Sequence, residues 1–189
     1  MSVYFENLIA KSHAESRKAG VDYPEVNIRD IWVEFFTSLG LVGPLNLVHF
    51  ILRYELATNP SWPMPGAQDI MSHPLAAGIV SNAQFYTPQI MEAFQLPKLE
   101  HTLFSYNYGE AKPGTFLFKK LAQKVNPAET LYLGNDRLKD IAPAALCGFK
   151  TALFAGDQSS LRLHSHRKDL LKPDAIVTSL SQITKILGG

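Results

Sequence analysis

Three short stretches carry side chains whose types and spacing suit chemistry on a charged group. In LGNDRLKDI, Asp136 and Asp140 stand four residues apart directly after an apolar run. At a strand-to-helix junction, both carboxylates can converge on one hard cation that takes oxygen ligands. The same residues admit a structural reading, in which Asp136 caps the helix and Asp140 pairs with Lys139 or Arg137 on a wet face. Ser81 and Asn82, in GIVSNAQF, follow a second apolar run, where a hydroxyl and backbone N–H groups can hold a phosphate oxygen. Serine in that position also serves as a plain helix cap. Lys112, in GEAKPGTF, precedes a predicted helix whose first turn would accept Pro113. Its ammonium can neutralise a phosphate and a nearby carboxylate, or be solvated at the surface. Taken in order, the three stretches point to a shared phosphate and divalent cation.

The elements that must position these groups are legible as short apolar runs. LAAGIV, HTLFSY, TLYLG, KTALFA and DAIVTSL predict strands near residues 75–80, 102–105, 130–134, 150–155 and 175–178, each continuous enough to be buried on both faces of a parallel sheet. Between them lie amphipathic stretches such as GTFLFKKLAQKV, with Phe118, Leu121, Ala122 and Val125 on one face. Alternation of strand and helix implies right-handed crossovers and a site at the carboxyl ends of the strands.

The chain before these runs reads differently. MSVYFENLIAKSHAES is helical, and VNIRDIWVEFFTSLG places Ile28, Ile31, Trp32, Phe35, Phe36 and Leu39 at three-four spacing, with Gly40 as the stop. The run from Leu45 to Leu56 is apolar on nearly all sides and predicts a helix covered by others. NPSWPMPG then breaks any helix. These shifts divide the chain into a helical segment, residues 1–60, and an α/β core, residues 61–189.

Bulk composition limits the partners. Eighteen basic against seventeen acidic residues leave a net charge of +1, and the basic residues are scattered, which argues against nucleic acid or an acidic membrane. The single cysteine, Cys147 in AALCGF, reads as a packed thiol. The first residues lack the pattern of a leader, and no long uncharged apolar run occurs, so a cytoplasmic protein acting on small molecules is expected. The six histidines show no ligand spacing, and the HSH near residue 165 reads as a wet loop.

From about Asn59 onward the sequence resembles the haloacid dehalogenase (HAD) superfamily. Ser81 in GIVSNAQF matches that family's second motif, Lys112 in GEAKPG its third, and GNDRLKDI its fourth. The helical part, with YPEVNIRDIWVEFF, is similar to the cap inserted between the first and second motifs. The resemblance implies a HAD-like (Rossmannoid) α/β fold and a magnesium-dependent phosphatase of a small phosphorylated metabolite. Ser81 and Asn82 would bind the phosphoryl group, and Lys112 would stabilise its charge and act with Ser81 in catalysis. Asp136, Asp140 and Asn135 would hold Mg2+, with Asn135 replacing a more usual acidic residue.

The sequence departs from the family at the first motif. The family's nucleophile is an aspartate ending the first strand, whereas Asp22 and Asp30 follow no strand and Asp69 lies after the cap. A fold lacking that first strand should leave its neighbours with unpaired backbone groups and prone to self-association. Little or no activity is expected of this polypeptide. Three readings stay open: a truncated phosphatase, a non-catalytic relative that binds a ligand or a partner, and a plain nucleotide-binding module. The last is disfavoured because no GxGxxG follows a strand.

Overall fold

The computed structural model describes residues 2–41, 43 and 46–187. In chain order its elements begin with helices α1 (Ser2–Lys18), α2 (Ile28–Ser38), α3 (Leu47–Thr58) and α4 (Ala67–Met71), then strand β1 (Gly78–Ser81) and helix α5 (Thr87–Ala93). There follow β2 (His101–Phe104), α6 (Phe116–Ala122), β3 (Leu131–Gly134), α7 (Ala142–Leu146), β4 (Lys150–Phe154), β5 (Ala175–Val177) and α8 (Ser181–Ile186). The chain divides into two compact units, one of Met1–Pro63, Asn82–Gln95 and Phe104–Ala111, the other of Met64–Ser81, Leu96–Leu103 and Lys112–Gly189.

The first unit is helical. Asn27 Oδ1 accepts the Arg29 N–H at 3.0 Å and starts α2. At the other end Gly40, at φ +66°, donates to Thr37 O while Leu41 donates to Phe36 O, a Schellman closure that only a residue tolerant of positive φ makes cheaply. The apolar stripe of α2 buries Ile31, Trp32 and Phe35 with Leu8, Val26 and Ile51. Trp32 is the hub, its ring centroid 4.8 to 5.7 Å from those of Phe5, Phe35, Phe36, Phe50 and Tyr54.

Two expectations need correction here. Leu39 is half exposed, because it is the C-cap of α2 and the turn at Gly40 carries it off the stripe. Helix α3 is not covered on all sides: only Ile51 is buried, whereas Phe50, Tyr54 and Leu56 are exposed. A continuous apolar run does not say how many neighbours a helix has. Leu45 lies outside the described residues.

The second unit is α/β. Strands β3, β4 and β5 form a parallel sheet in that order, with Leu131 opposite Lys150 and Ala152 opposite Ala175. Side chains alternate across it: Leu131, Leu133, Ala152, Phe154 and Val177 pack with Ile183 on one face, while Tyr132 joins Leu117, Phe118 and Leu121 on the other. Strands β1 and β2 form a separate pair. All five predicted strands are present, most of them shorter than their apolar runs. Leu75, at the head of LAAGIV, is 62% exposed, and residues beyond Phe104 turn into a short 3-10 segment. Among the described residues no helix is long and apolar enough to cross a membrane.

Candidate functional site at the strand ends

Strand β3 ends in Gly134, and the chain then turns through a single π-helical turn, Arg137–Ile141. Asp136 caps that turn, its Oδ1 accepting from the N–H groups of Leu138 and Lys139 at 2.8 and 2.9 Å. The same oxygen meets His164 Nε2 at 2.9 Å. The capping alternative weighed for Asp136 is therefore what forms, and Asp140 pairs with Lys112 rather than with Lys139 or Arg137.

The turn folds Asp140 back onto the strand end. Its Oδ2 accepts the backbone N–H groups of Asn135 and Asp136 at 3.2 and 3.1 Å. A side chain at position 134 would forbid this, because a Cβ there would lie 2.3 Å from Asp140 Cβ and 2.7 Å from its Cγ. The glycine of LYLGND is thus required by close approach.

Asp140 Oδ1 pairs with the ammonium of Lys112, and both side chains are nearly buried, 7% and 10% exposed. Lys112 Nζ also donates to Val80 O and Tyr132 Oη, each at 3.2 Å. Tyr132 Oη lies 3.1 Å from Val80 O and 3.3 Å from Asp140 Oδ1; with one hydroxyl hydrogen it serves one acceptor at a time. Burial first, and the Asp140 charge second, push the Tyr132 phenol well above its usual value, so it stays neutral.

The ends of β1 and β3 thus converge on one buried cation. The structure brings Lys112 and Asp140 together and sets them against Val80, the neighbour of Ser81. Ser81 closes β1, and Asn82 begins a segment of the helical unit. Pro113 does not occupy a helical turn as expected: the Lys112–Pro113 peptide is cis, and α6 begins only at Phe116. Asp22 and Asp30 are exposed in the helical unit, and Asp69 is exposed on α4.

Sequence reasoning missed two members of this cluster. Tyr132 looked like one more apolar residue of LYLG, although its position two before Gly134 places it one turn of the pleat from the strand end. His164 was read as part of a wet loop, but that loop is tied to the turn: Arg162 N donates to Asn135 O, Arg137 N to Arg162 O, and Asn135 Nδ2 to Ser160 O. Nothing in the local sequence announces such a long-range pairing.

As a metal site the arrangement is partial. Asp136 Oδ1 and both oxygens of Asp140 already accept from protein donors. Among the described residues no group of three His, Cys, Asp or Glu side chains gathers that could hold a metal ion. Asn135 Oδ1 and Asp136 Oδ2 are oxygen donors of the kind magnesium takes, and magnesium commonly completes a shell of one or two protein groups with water and a ligand's phosphate.

No family model and no curated protein matches this sequence. Solved structures do. L-2-haloacid dehalogenase from Xanthobacter autotrophicus superposes with a TM-score of 0.60 at 18% identity, over 85% of this chain and 74% of that one. A HAD phosphatase from Thermococcus onnurineus gives 0.58 at 19% identity, over 84% and 71%. The HAD-hydrolase YfnB from Bacillus subtilis, bound to magnesium, gives 0.56 at 16% identity, over 98% and 93%. The fold is HAD-like, a Rossmannoid α/β sheet with appended helices, as the three motifs led one to expect.

Proposed function

We propose that this is a HAD-like hydrolase whose site takes the phosphate of a small phosphorylated metabolite together with Mg2+, and that the 189-residue polypeptide binds such a ligand without turning it over. The observation that carries this reading is the buried Lys112–Asp140 pair at the strand ends beside Ser81. With little water to screen it, the ammonium can bond an anion entering beside it, although it shares its charge with Asp140. Ser81 and Asn82 would orient the phosphoryl oxygens and Lys112 would offset their charge. Asn135, Asp136 and Asp140 would face the metal, with Asn135 Oδ1 and Asp136 Oδ2 as oxygen donors to it. Magnesium, when bound, supplies charge neutralisation at the phosphate.

Asp140, the carboxylate paired with Lys112, has both oxygens spent on protein donors and does not stand ready as a nucleophile, which supports the reading without turnover. The same observation favours a second reading, in which the protein is a non-catalytic relative that only senses or binds a ligand.

Calorimetric titration with inorganic phosphate, with and without MgCl2, tests the proposal alongside a phosphate-ester panel. Expected are phosphate binding strengthened at least severalfold by magnesium, weakened by Ser81→Ala, and no hydrolysis. Absence of phosphate binding would overturn the site assignment. Ester hydrolysis abolished by Ser81→Ala would instead overturn the claim of inactivity.

A further inference from the structure

Strands β1 and β3 belong to separate sheets, yet their free edges face one another across an apolar cleft of about 430 Å³. Residues 76–80 line one side and residues 129–133 the other. The direction of the backbone groups can be read from the bonds already made. His101 N donates to Ala77 O, so Ala77 and Ile79 face β2, and Gly78 and Val80 face the cleft. Lys150 N donates to Thr130 O, so Thr130 and Tyr132 face β4, and Leu131 and Leu133 face the cleft. Val80 O is reached from across the cleft by Tyr132 Oη at 3.1 Å. Both strands point their carboxyl ends at Lys112, so they run the same way.

We infer that this cleft is a docking slot for a single extended peptide segment, inserted between β1 and β3 so as to join the two sheets. Val80 O already accepts from Lys112 and Tyr132 at the far end of the slot. The remaining ladder-spaced N–H and C=O groups of the two facing edges are satisfied together only by another backbone, and one intervening strand needs roughly 9.6 Å between its neighbours, twice the usual spacing. The occupant must use both of its edges. That excludes the edge strand of a second folded copy, which has only one edge to offer, and selects an isolated segment. The edges are four residues long, so the segment contributes about four or five residues. Above and below the slot lie Ile70, Leu121, Val125 and Ile183, so it is apolar on both faces. Glu129, the one carboxylate of the lining, precedes β3 and would meet a basic residue at the segment's amino end.

The inference stands independently of the phosphate reading. Its probe is a fluorophore-tagged, acetylated heptapeptide of two lysines followed by valine, isoleucine, valine, leucine and valine, titrated into the full chain. Saturable binding is expected, with slowed hydrogen exchange at the amides of Gly78, Val80, Leu131 and Leu133. N-methylation of alternate peptide amides should weaken it by roughly tenfold or more, since each lost ladder bond is worth up to about tenfold in affinity. Leu131→Pro removes one slot-facing N–H, and Thr130 is already extended at φ −110°, ψ 125°, as a residue before proline must be; it should weaken binding likewise. The N-methylated peptide keeps the test decisive even where that variant folds poorly. Equal binding of the N-methylated peptide would make the cleft a pocket for small apolar molecules and overturn the inference. So would failure of the peptide to bind, or protection of the four amides by dimerisation of the chain alone.

Discussion

The Lys112–Asp140 pair concentrates the energetics of the site on two side chains. Each is nearly buried, so removing one strands the other's charge away from water. Lys112→Met is expected to cost on the order of 3–5 kcal/mol, and adding Asp140→Asn should recover much of that loss, because a buried pair is costly chiefly when half of it is left. A double-mutant cycle by urea denaturation measures both numbers. Gly134→Ala should cost about 1–3 kcal/mol, since the added methyl collides with the Asp140 side chain rather than with a flexible tip. At roughly 2–4 °C per kcal/mol for a chain of this size, calorimetry resolves it as a melting shift of several degrees. Asp174 provides a titratable handle. The Thr151 N–H and hydroxyl, at 2.7 and 3.0 Å, hold its carboxyl below the usual value. A depressed carboxyl contributes stability that is complete above its unfolded value of about 3.9 and disappears as pH falls through the lower folded value. Wild type should therefore lose its advantage over Asp174→Asn progressively as pH falls below about 4, read as converging melting temperatures.

Elements were legible where a periodic pattern met a single environment. The five strand runs and the stripe of α2 announced themselves, because burial on both faces and a 3.6-residue repeat leave different signatures. Helix α3 shows the limit: LVHFILRYELAT is as apolar as a covered helix, yet it exposes Phe50, Tyr54 and Leu56, and coverage depends on neighbours far away in the sequence. Of the site, the serine and the acidic pair could be named from their place after apolar runs, and the lysine from its place before a predicted helix. The cap at Asp136 is one of the two readings the spacing allows, but Asp140 as the partner of Lys112 follows from a π-helical turn that no sequence period encodes. At this scale Trp32→Ala is expected to cost about 3–5 kcal/mol by opening a void among the five rings it touches. Asn27→Ala should cost about 1 kcal/mol through loss of the α2 cap. Guanidinium titrations monitored by far-ultraviolet circular dichroism compare the two.

For the molecule as a whole, the six chain segments of the two units alternate, so the backbone passes between units five times. Within the helical unit those segments are sewn together by polar bonds: Gln84 Nε2 donates to Val26 O at 2.9 Å, its Oε1 accepts from Ile28 N at 2.9 Å, and fully buried Ser105 donates to Glu25 Oε2 at 2.7 Å. A gene cut at residue 63 would consequently release a helical fragment deprived of the glutamine and serine that fasten it, and a remainder burdened with those orphaned stretches. Independent expression of either piece is a losing strategy for this topology, and a dissection of its modules would have to graft short linkers across the gaps instead.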